Sequence, residues 1–231
     1  MVLHQLKAAV SSLYRIWRRR RAAKLTTDTL SFIHCFEASA AVDARPLLLL
    51  HGTSGDESSL LWLGRKIAPR APLLSPRGKV LENGASRFFR RIAPNVLDEE
   101  DVRRRANELA DFVTAACVRY RIPIPIAVGY SNGANMATTL LLLRPETLAG
   151  AILLRAAQIT LSDVAPPDLT DKPVLMLSGA DDPTILPERF SKLVAFLRRC
   201  GASVEARVVP GGHELSRADA RISRKWLEAN D

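Results

Sequence analysis

Short apolar segments alternate with longer amphipathic segments along most of the chain. Continuous apolar runs of strand length are followed by segments in which apolar residues recur with the helical period. The predicted strands are residues 30–39, 46–51, 71–75, 126–130, 148–154, 173–177 and 204–209, and the predicted helices are residues 57–67, 100–121, 134–144, 187–200 and 216–229. This alternation predicts the α/β class, with a mostly parallel, doubly wound sheet and helices on both faces.

The length and composition suit a single folded domain. The chain has 231 residues, 47% of them hydrophobic, which is enough to bury a full sheet. We expect the domain to span residues 25–231. Two of its connections are long, residues 76–99 and 156–172, and long loops at strand ends often frame a functional site. Neither has a long apolar insertion, so no large lid domain is expected.

The first 24 residues have a different pattern. Their apolar residues recur at spacings of three and four, and the same segment holds seven basic residues and no acidic one. The apolar positions are Leu3, Leu6, Val10, Leu13 and Trp17. The pattern predicts a basic amphipathic helix. Such a helix would either pack on the domain as an extra helix, or attach the protein to a membrane surface or serve in targeting.

Net charge separates this segment from the rest of the chain. The whole chain has a formal charge of +9, and removing the seven basic residues of the N-terminal segment leaves +2. The basic character is therefore local, and the main body has little electrostatic support for binding nucleic acid.

The cysteines and the hydropathy exclude further classes. Cys35, Cys117 and Cys200 are far apart and form no C-x-x-C spacing, so neither a disulfide framework nor a zinc site is indicated. The longest apolar runs are too short to span a bilayer, and we find no signal-peptide pattern. We expect a cytoplasmic protein, with membrane association through residues 1–24 as the alternative.

A candidate nucleophile lies between a predicted strand and a predicted helix. Residues 129–133 read Gly-Tyr-Ser-Asn-Gly, which is the G-x-S-x-G pattern of the α/β-hydrolase nucleophile. At such a turn the Ser131 hydroxyl projects above the sheet, and the glycines leave room for neighbouring backbone. The N-terminus of the following helix favours developing negative charge. Ser131 is thus the predicted nucleophile.

A serine nucleophile needs a base that is itself oriented by a carboxylate, and in this fold the acid and then the histidine follow the serine along the chain. Asp182 and its neighbour Asp181 follow the predicted strand 173–177, and both are candidates for the acid. His213 follows the last predicted strand in a Gly-Gly-His turn. Because parallel strands end at one edge, we expect these side chains to meet Ser131 there.

Attack on an ester produces an oxyanion, which needs backbone donors. In this fold they come from the residue after the nucleophile and from a loop after an early strand. The corresponding residues are Asn132 and Thr53. His51, at the start of that early loop, is interpreted as a hydrogen-bonding support of the loop and not as a base.

Three segments together resemble one enzyme family. Residues 50–57 (Leu-His-Gly-Thr-Ser-Gly-Asp-Glu), 129–135 (Gly-Tyr-Ser-Asn-Gly-Ala-Asn) and 179–183 (Gly-Ala-Asp-Asp-Pro) resemble the phospholipase/carboxylesterase family of α/β-hydrolases, which includes acyl-protein thioesterases. Residues 75–78 (Ser-Pro-Arg-Gly), 82–84 (Glu-Asn-Gly) and 87–91 (Arg-Phe-Phe-Arg-Arg) look like its branch of bacterial hydroquinone-associated carboxylesterases. The resemblance covers residues 30–231.

The resemblance distinguishes between the two acids. In the family the acid is the aspartate directly before proline, which implies Asp182, and the base is the histidine of the Gly-Gly-His turn, which implies His213. The family usually has glycine where Ser54 stands, a departure within the predicted oxyanion loop.

The long connection 76–99 contains a group of arginines, Arg77, Arg87 and Arg90. They would either bind an acidic acyl or phosphate group of a substrate or pin the loop through ion pairs. The acidic partners for the second role are Glu82, Asp98 and Glu99. Phe88 and Tyr130 are candidates for lining an acyl pocket, although an aromatic residue beside a nucleophile is more often part of the packing.

These features predict a serine hydrolase that cleaves carboxylic esters through an acyl-enzyme, without a metal or another cofactor. The absence of a lid insertion favours small or short-chain esters. The alternatives are a lysophospholipase or acyl-thioesterase acting at a membrane surface, and a non-catalytic binding protein on the same fold. Both a monomer and a homodimer are compatible with the sequence.

Overall fold

A mixed but mainly parallel sheet forms the centre of the fold. The computed structural model describes residues 30–39, 44–93, 96–157, 161 and 165–230. The strands in these ranges are β1 (His34–Glu37), β2 (Leu47–Leu50), β3 (Leu73–Pro76), β4 (Val80–Glu82), β5 (Ala85–Arg87), β6 (Arg91–Ala93), β7 (Val96–Leu97), β8 (Ile126–Tyr130), β9 (Gly150–Leu154), β10 (Pro173–Gly179) and β11 (Ser203–Val209). The helices there are α1 (Leu61–Ile67), α2 (Glu99–Tyr120), α3 (Asn132–Leu143), α4 (Pro187–Arg199) and α5 (Arg217–Asn230).

Seven of the described strands form the central sheet in the order β1-β3-β2-β8-β9-β10-β11. From β3 to β11 neighbouring strands are parallel, and β1 pairs with β3 in the antiparallel direction. Helices cover both faces, so the predicted fold class is confirmed. All described elements from Phe32 onward belong to one compact unit.

The most apolar runs of the chain form the innermost strands, where helices cover both faces of the sheet. Leu47 and Leu49 of β2 pack with α1 and α5 in one hydrophobic cluster. Leu48 and Leu50 alternate to the other face, where α3 lies against β2 and β8, and both are fully buried. This double burial explains why strand β2 reads as four consecutive leucines.

Several predicted boundaries shift in the structure. The strand predicted at 30–39 shortens to β1, and the strand predicted at 173–177 extends to Gly179. The helix predicted at 57–67 begins only at Leu61. Turns precede it because the Asp56 carboxylate accepts hydrogen bonds from the Ser58 amide and hydroxyl, at 2.9 and 2.7 Å, which closes a local turn instead of a helix.

The long connection 76–99 contains two hairpins that the sequence did not predict. Strands β4 and β5 form one antiparallel pair, and β6 and β7 form the other. The connection 156–172 lies partly outside the described residues. The helix predicted for residues 1–24 lies wholly outside them, and its boundary with the domain stays a prediction. Among the residues that the structure describes, no helix is long and apolar enough to cross a membrane.

Candidate active site

Three predicted site residues follow three parallel strands of the sheet. Ser131 follows β8, Asp182 lies in the loop after β10, and His213 lies in the loop after β11. Strands β8, β9, β10 and β11 are consecutive neighbours in the sheet. Their carboxyl ends therefore share one edge, and the three side chains converge there as expected.

The backbone at Ser131 has the strained geometry expected of the G-x-S-x-G turn. Ser131 has φ of 52° and ψ of −112°, values that non-glycine residues rarely adopt. Its amide donates to the carbonyl of Leu154 at the end of β9, at 2.9 Å. A Cβ atom at Gly133 would lie 2.0 Å from the Leu50 carbonyl oxygen, and one at Gly129 would lie 2.5 Å from the Gly133 oxygen. Both glycines are thus required by the close approach of backbone.

The His213 imidazole joins the other two side chains. Its Nε2 lies 2.9 Å from Oγ of Ser131, and its Nδ1 lies 2.9 Å from Oδ2 of Asp182. Asp181 is exposed, and its amide donates to the Gly211 carbonyl at 3.0 Å. Asp182 is thus the acid that contacts the histidine, as the resemblance implies.

The environment of Asp182 keeps its carboxylate ionised. Burial of the side chain acts to raise the pKa, but hydrogen bonds from the Ile185 amide, the His213 ring and the Thr184 amide outweigh it and hold the pKa of Asp182 below its usual value. The two amides lie 3.0 and 2.8 Å from Oδ1. An ionised Asp182 can fix the orientation of the His213 ring.

The two predicted oxyanion donors lie beside the serine and in the loop after β2. Asn132 is the first residue of α3, so its amide has no acceptor within the helix. Its side-chain Oδ1 accepts from the Phe88 amide at 2.8 Å. Thr53 is exposed, and its Oγ1 accepts from Nη1 of Arg87 at 2.7 Å. Thr53 is therefore tied to the last residue of β5, and Asn132 to the residue that follows β5.

His51 supports the loop after β2 through hydrogen bonds, in agreement with its interpretation from the sequence. Its Nδ1 donates to the Gly52 carbonyl at 2.6 Å, and its Nε2 accepts from the Gly78 amide at 2.9 Å. Only a neutral imidazole can make both bonds. Burial lowers the pKa of His51, which favours that neutral form.

The arginines of the connection make the ion pairs that would pin it. Arg87 is almost fully buried, and its Nε lies 3.3 Å from Oε2 of Glu82. Arg90 pairs with Asp98, where Nε and Oδ2 are 2.9 Å apart. Arg77 pairs with Glu57, a partner that the sequence did not indicate, through Nη2 and Oε1 at 2.8 Å. These contacts support the pinning role for the group.

The two predicted aromatic residues differ in exposure. Phe88 is buried, and its ring centroid lies 4.7 Å from that of His51, so it packs against the loop after β2. Tyr130 is partly buried, and its hydroxyl donates to the His213 carbonyl at 3.2 Å. Burial, with the nearby Glu214 charge, raises the pKa of Tyr130 to about 12, so the hydroxyl remains a donor at neutral pH.

Two ionisable residues at this edge were missed in the sequence. Arg155 and Asp219 are fully buried, and they pair with each other beneath the His213 loop. A signal was present, because Arg155 directly follows the apolar run 150–154, where a charged side chain needs a buried partner.

In the described ranges no group of three or more His, Cys, Asp or Glu side chains could hold a metal ion. Cys35, Cys117 and Cys200 are free.

A mainly parallel sheet in which a strained serine follows one strand, and an acid and a histidine follow later strands in that order, defines an α/β-hydrolase. The sequence pattern of the phospholipase/carboxylesterase family matches residues 38–230. The chain therefore belongs to the phospholipase/carboxylesterase family, and the predicted family is confirmed.

Individual relatives agree with this assignment. The protein named hydrolase MhqD of Bacillus subtilis (strain 168) is 43% identical over 184 residues, which are 79% of this chain and 92% of that protein. The crystal structure of the Bacillus cereus carboxylesterase matches with a TM-score of 0.84 and 34% identity, over 87% of this chain and 95% of that one. A carboxylesterase from Mesorhizobium loti matches with a TM-score of 0.82 and 35% identity, over 88% and 97%. The chain is thus a carboxylesterase-type hydrolase.

Proposed function

We propose that the protein hydrolyses small carboxylic esters by nucleophilic catalysis at Ser131, with His213 as the general base and Asp182 as the residue that orients it. The observation that carries the proposal is the His213 ring, whose two nitrogens each lie 2.9 Å from an oxygen, one of Ser131 and one of Asp182. A histidine in this position can take the serine proton while the carboxylate stabilises the imidazolium that forms.

The reaction has two halves. His213 Nε2 accepts the proton of Ser131 as Oγ attacks the ester carbonyl, and the carbonyl electron pair moves onto the oxygen. The amides of Asn132 and Thr53 hold this oxyanion. The intermediate collapses, the C–O bond to the alcohol breaks, and the alcohol leaves with the proton from His213. Water then attacks the acyl carbonyl with His213 again as base, the bond to Oγ of Ser131 breaks as Oγ takes the proton back from His213, and the acid is released.

The preference for small or short-chain esters rests on the accessibility of the site. Ser131 is partly exposed, and 21% of the His213 side chain is accessible. Within the described residues no helical domain is inserted over this edge. Between Arg77 and Arg87, Arg77 is the better candidate for binding substrate, because 39% of its side chain is exposed against 6% for Arg87.

One observation favours a second candidate function. The basic amphipathic pattern of residues 1–24 suits an anionic lipid surface, where the same site would hydrolyse lysophospholipids or acyl thioesters. A panel of p-nitrophenyl esters of increasing chain length, run beside a lysophospholipid and an acyl thioester, compares the two candidates. Our first proposal predicts the highest kcat/KM for the shortest esters, without a requirement for vesicles.

A fluorophosphonate probe tests the nucleophile directly. It should label the wild-type protein, fail to label Ser131→Ala, and label the control Ser191→Ala, in which an exposed serine of α4 is replaced. Ester hydrolysis should fall by about 10⁶-fold in Ser131→Ala, as when a triad serine is removed elsewhere. A folded wild-type protein that does not react with the probe would instead support a binding protein on this fold.

A further inference from the structure

Three consecutive carbonyl groups of the His213 loop each accept a hydrogen bond from a buried or partly buried side chain. Nε of Arg155 donates to the Gly212 oxygen at 3.0 Å, and Nη2 of Arg155 donates to the Glu214 oxygen at 3.0 Å. The hydroxyl of Tyr130 donates to the oxygen of His213 itself at 3.2 Å. These three hydrogen bonds therefore hold the backbone of His213 and of the residue on each side of it.

The two donor residues come from the ends of neighbouring strands. Tyr130 is the last residue of β8 and directly precedes Ser131, whereas Arg155 directly follows β9. The Arg155 amide donates to the Leu177 carbonyl of β10 at 2.8 Å. Arg155 thus lies between the strand that carries the serine and the strand that leads to the acid.

Asp219 holds the Arg155 guanidinium in place. Its Oδ1 and Oδ2 accept from Nη1 and Nη2 of Arg155 at 2.8 and 3.0 Å, and both side chains are fully buried. Asp219 also accepts from the Ser216 amide and hydroxyl, at 2.7 and 2.8 Å, in a capping box at the start of α5. The carboxylate therefore anchors the guanidinium to the start of a helix.

A buried ion pair is costly, because two charges lose their hydration, and it is retained only where its hydrogen bonds are satisfied. Arg155 has five N–H donors, and four of them have acceptors. Two of the four bind Asp219, and the other two bind the carbonyls on either side of His213. The acceptors that satisfy the donors left over from Asp219 are thus the two carbonyls that flank His213 in the chain.

We propose that Arg155, anchored by Asp219, is a positioning residue that sets the orientation of the His213 imidazole, with Tyr130 as a second support. This inference rests on the proposed function of His213. Arg155, Asp219 and Tyr130 take no part in the chemical step. A small rotation of the loop would move Nε2 away from Ser131 or Nδ1 away from Asp182, and misplacement by about 1 Å costs about 100-fold in rate.

The variant Arg155→Lys tests the proposal, because it keeps the buried charge but cannot donate to Asp219 and both carbonyls in the geometry of a guanidinium. We expect kcat for p-nitrophenyl acetate to fall by about 100-fold, while KM changes by less than about twofold. The downfield proton resonance of the His213 Nδ1–H bound to Asp182 should broaden or disappear. Fluorophosphonate labelling should slow in parallel with kcat.

The control variant is Arg144→Lys. Arg144 also forms ion pairs, with Asp111 and Glu146, but it lies at the opposite end of α3 from Ser131. It should keep the wild-type kcat and the Nδ1–H resonance, whatever its effect on thermal stability. An Arg155→Lys protein that loses stability yet keeps both its kcat and the resonance would overturn the positioning role and leave a purely structural ion pair.

If Arg155→Lys does not fold, the variant Tyr130→Phe tests the positioning role instead. It removes only the donor to the His213 carbonyl, and we expect about a tenfold lower kcat, the order of one lost hydrogen bond, with unchanged KM. An unchanged kcat with a shift in KM or in chain-length preference would overturn the inference and make Tyr130 a pocket residue. Wild-type protein that is not labelled would overturn the proposed function and this inference together, whereas equal labelling of wild type and Arg155→Lys overturns the inference alone.

Discussion

Ser54, in the loop after β2, stands where the family resemblance implies a glycine. The structure gives Ser54 a φ of 68°, in the left-handed region that favours glycine. Its amide donates to the Ser86 carbonyl at 3.0 Å, so the loop holds this conformation although a Cβ atom is present. Ser54 is thus held in a strained conformation by the hydrogen bond that links the loop to β5.

Replacing Ser54 with glycine should stabilise the protein slightly. The left-handed conformation costs a non-glycine residue about 1 to 2 kcal/mol. The extra freedom of glycine in the unfolded chain costs about 0.5 to 1 kcal/mol. We therefore expect the free energy of unfolding of Ser54→Gly, measured in urea, to rise by about 0.5 kcal/mol.

The matched control is Ser191→Gly, at an exposed position inside α4, where glycine has no conformational advantage. Its free energy of unfolding should fall by about 0.5 to 1 kcal/mol. If both variants were destabilised alike, left-handed strain at Ser54 would not be a significant cost.

The predictability of the site differs from residue to residue. Ser131 and His213 belong to short motifs with fixed chain order, so their convergence could be predicted. Arg155 and Asp219 are 64 residues apart, and neither belongs to a motif that points to the other. Their contact depends on the packing of α5 against the sheet, which residue patterns do not specify.

At the level of elements, the first hairpin of the long connection supports the loop after β2. Strand β5 supplies Ser86, which binds Ser54, and Arg87, which binds Thr53. Hydrogen bonds and ion pairs at polar residues hold this hairpin together. The sequence of the connection therefore needs no regular apolar alternation and shows none. For this reason the central strands could be predicted from hydropathy, whereas both hairpins could not.

The loops after β10 and β11 touch through their backbones, and this contact brings Asp182 to His213. A Cβ atom at Gly179 would lie 2.1 Å from the Gly212 carbonyl oxygen. Gly179→Ala should therefore push the two loops apart and slow fluorophosphonate labelling by about 100-fold, the expected effect of a displacement near 1 Å. Overpacking should also lower the free energy of unfolding by about 1 to 3 kcal/mol.

Gly212→Ala serves as the control for this prediction. It lies in the same contact, yet the nearest heavy atom to an added Cβ, the Asp181 carbonyl oxygen, is 3.5 Å away, an ordinary van der Waals distance. Gly212→Ala should label at close to the wild-type rate. If the two variants were equally slow, added bulk anywhere in the loop would be harmful and the particular overlap at Gly179 would not explain the effect.

For the molecule as a whole, the excess positive charge lies mainly before the region that matches the family pattern. The family pattern begins at residue 38, and the site lies entirely within it. The seven basic residues of residues 1–24 precede it, and without them the formal charge is only +2. Electrostatic attraction to an anionic surface is therefore expected to depend on this first segment and not on the hydrolase domain.

Sedimentation with vesicles tests that expectation on the whole chain. The full-length protein should co-sediment with vesicles containing phosphatidylserine and not with pure phosphatidylcholine vesicles, since each basic residue near an anionic surface contributes about 1 kcal/mol. Binding should weaken as salt is added, because salt screens the attraction. A variant without residues 1–21 should stay in the supernatant and hydrolyse p-nitrophenyl acetate at the wild-type rate.

A second variant, in which the four arginines at residues 18–21 are replaced by glutamine, separates charge from apolar contact and should bind weakly. Equal sedimentation of the full-length and shortened proteins would contradict the membrane role, and lower thermal stability of the shortened protein would then favour a helix packed on the domain.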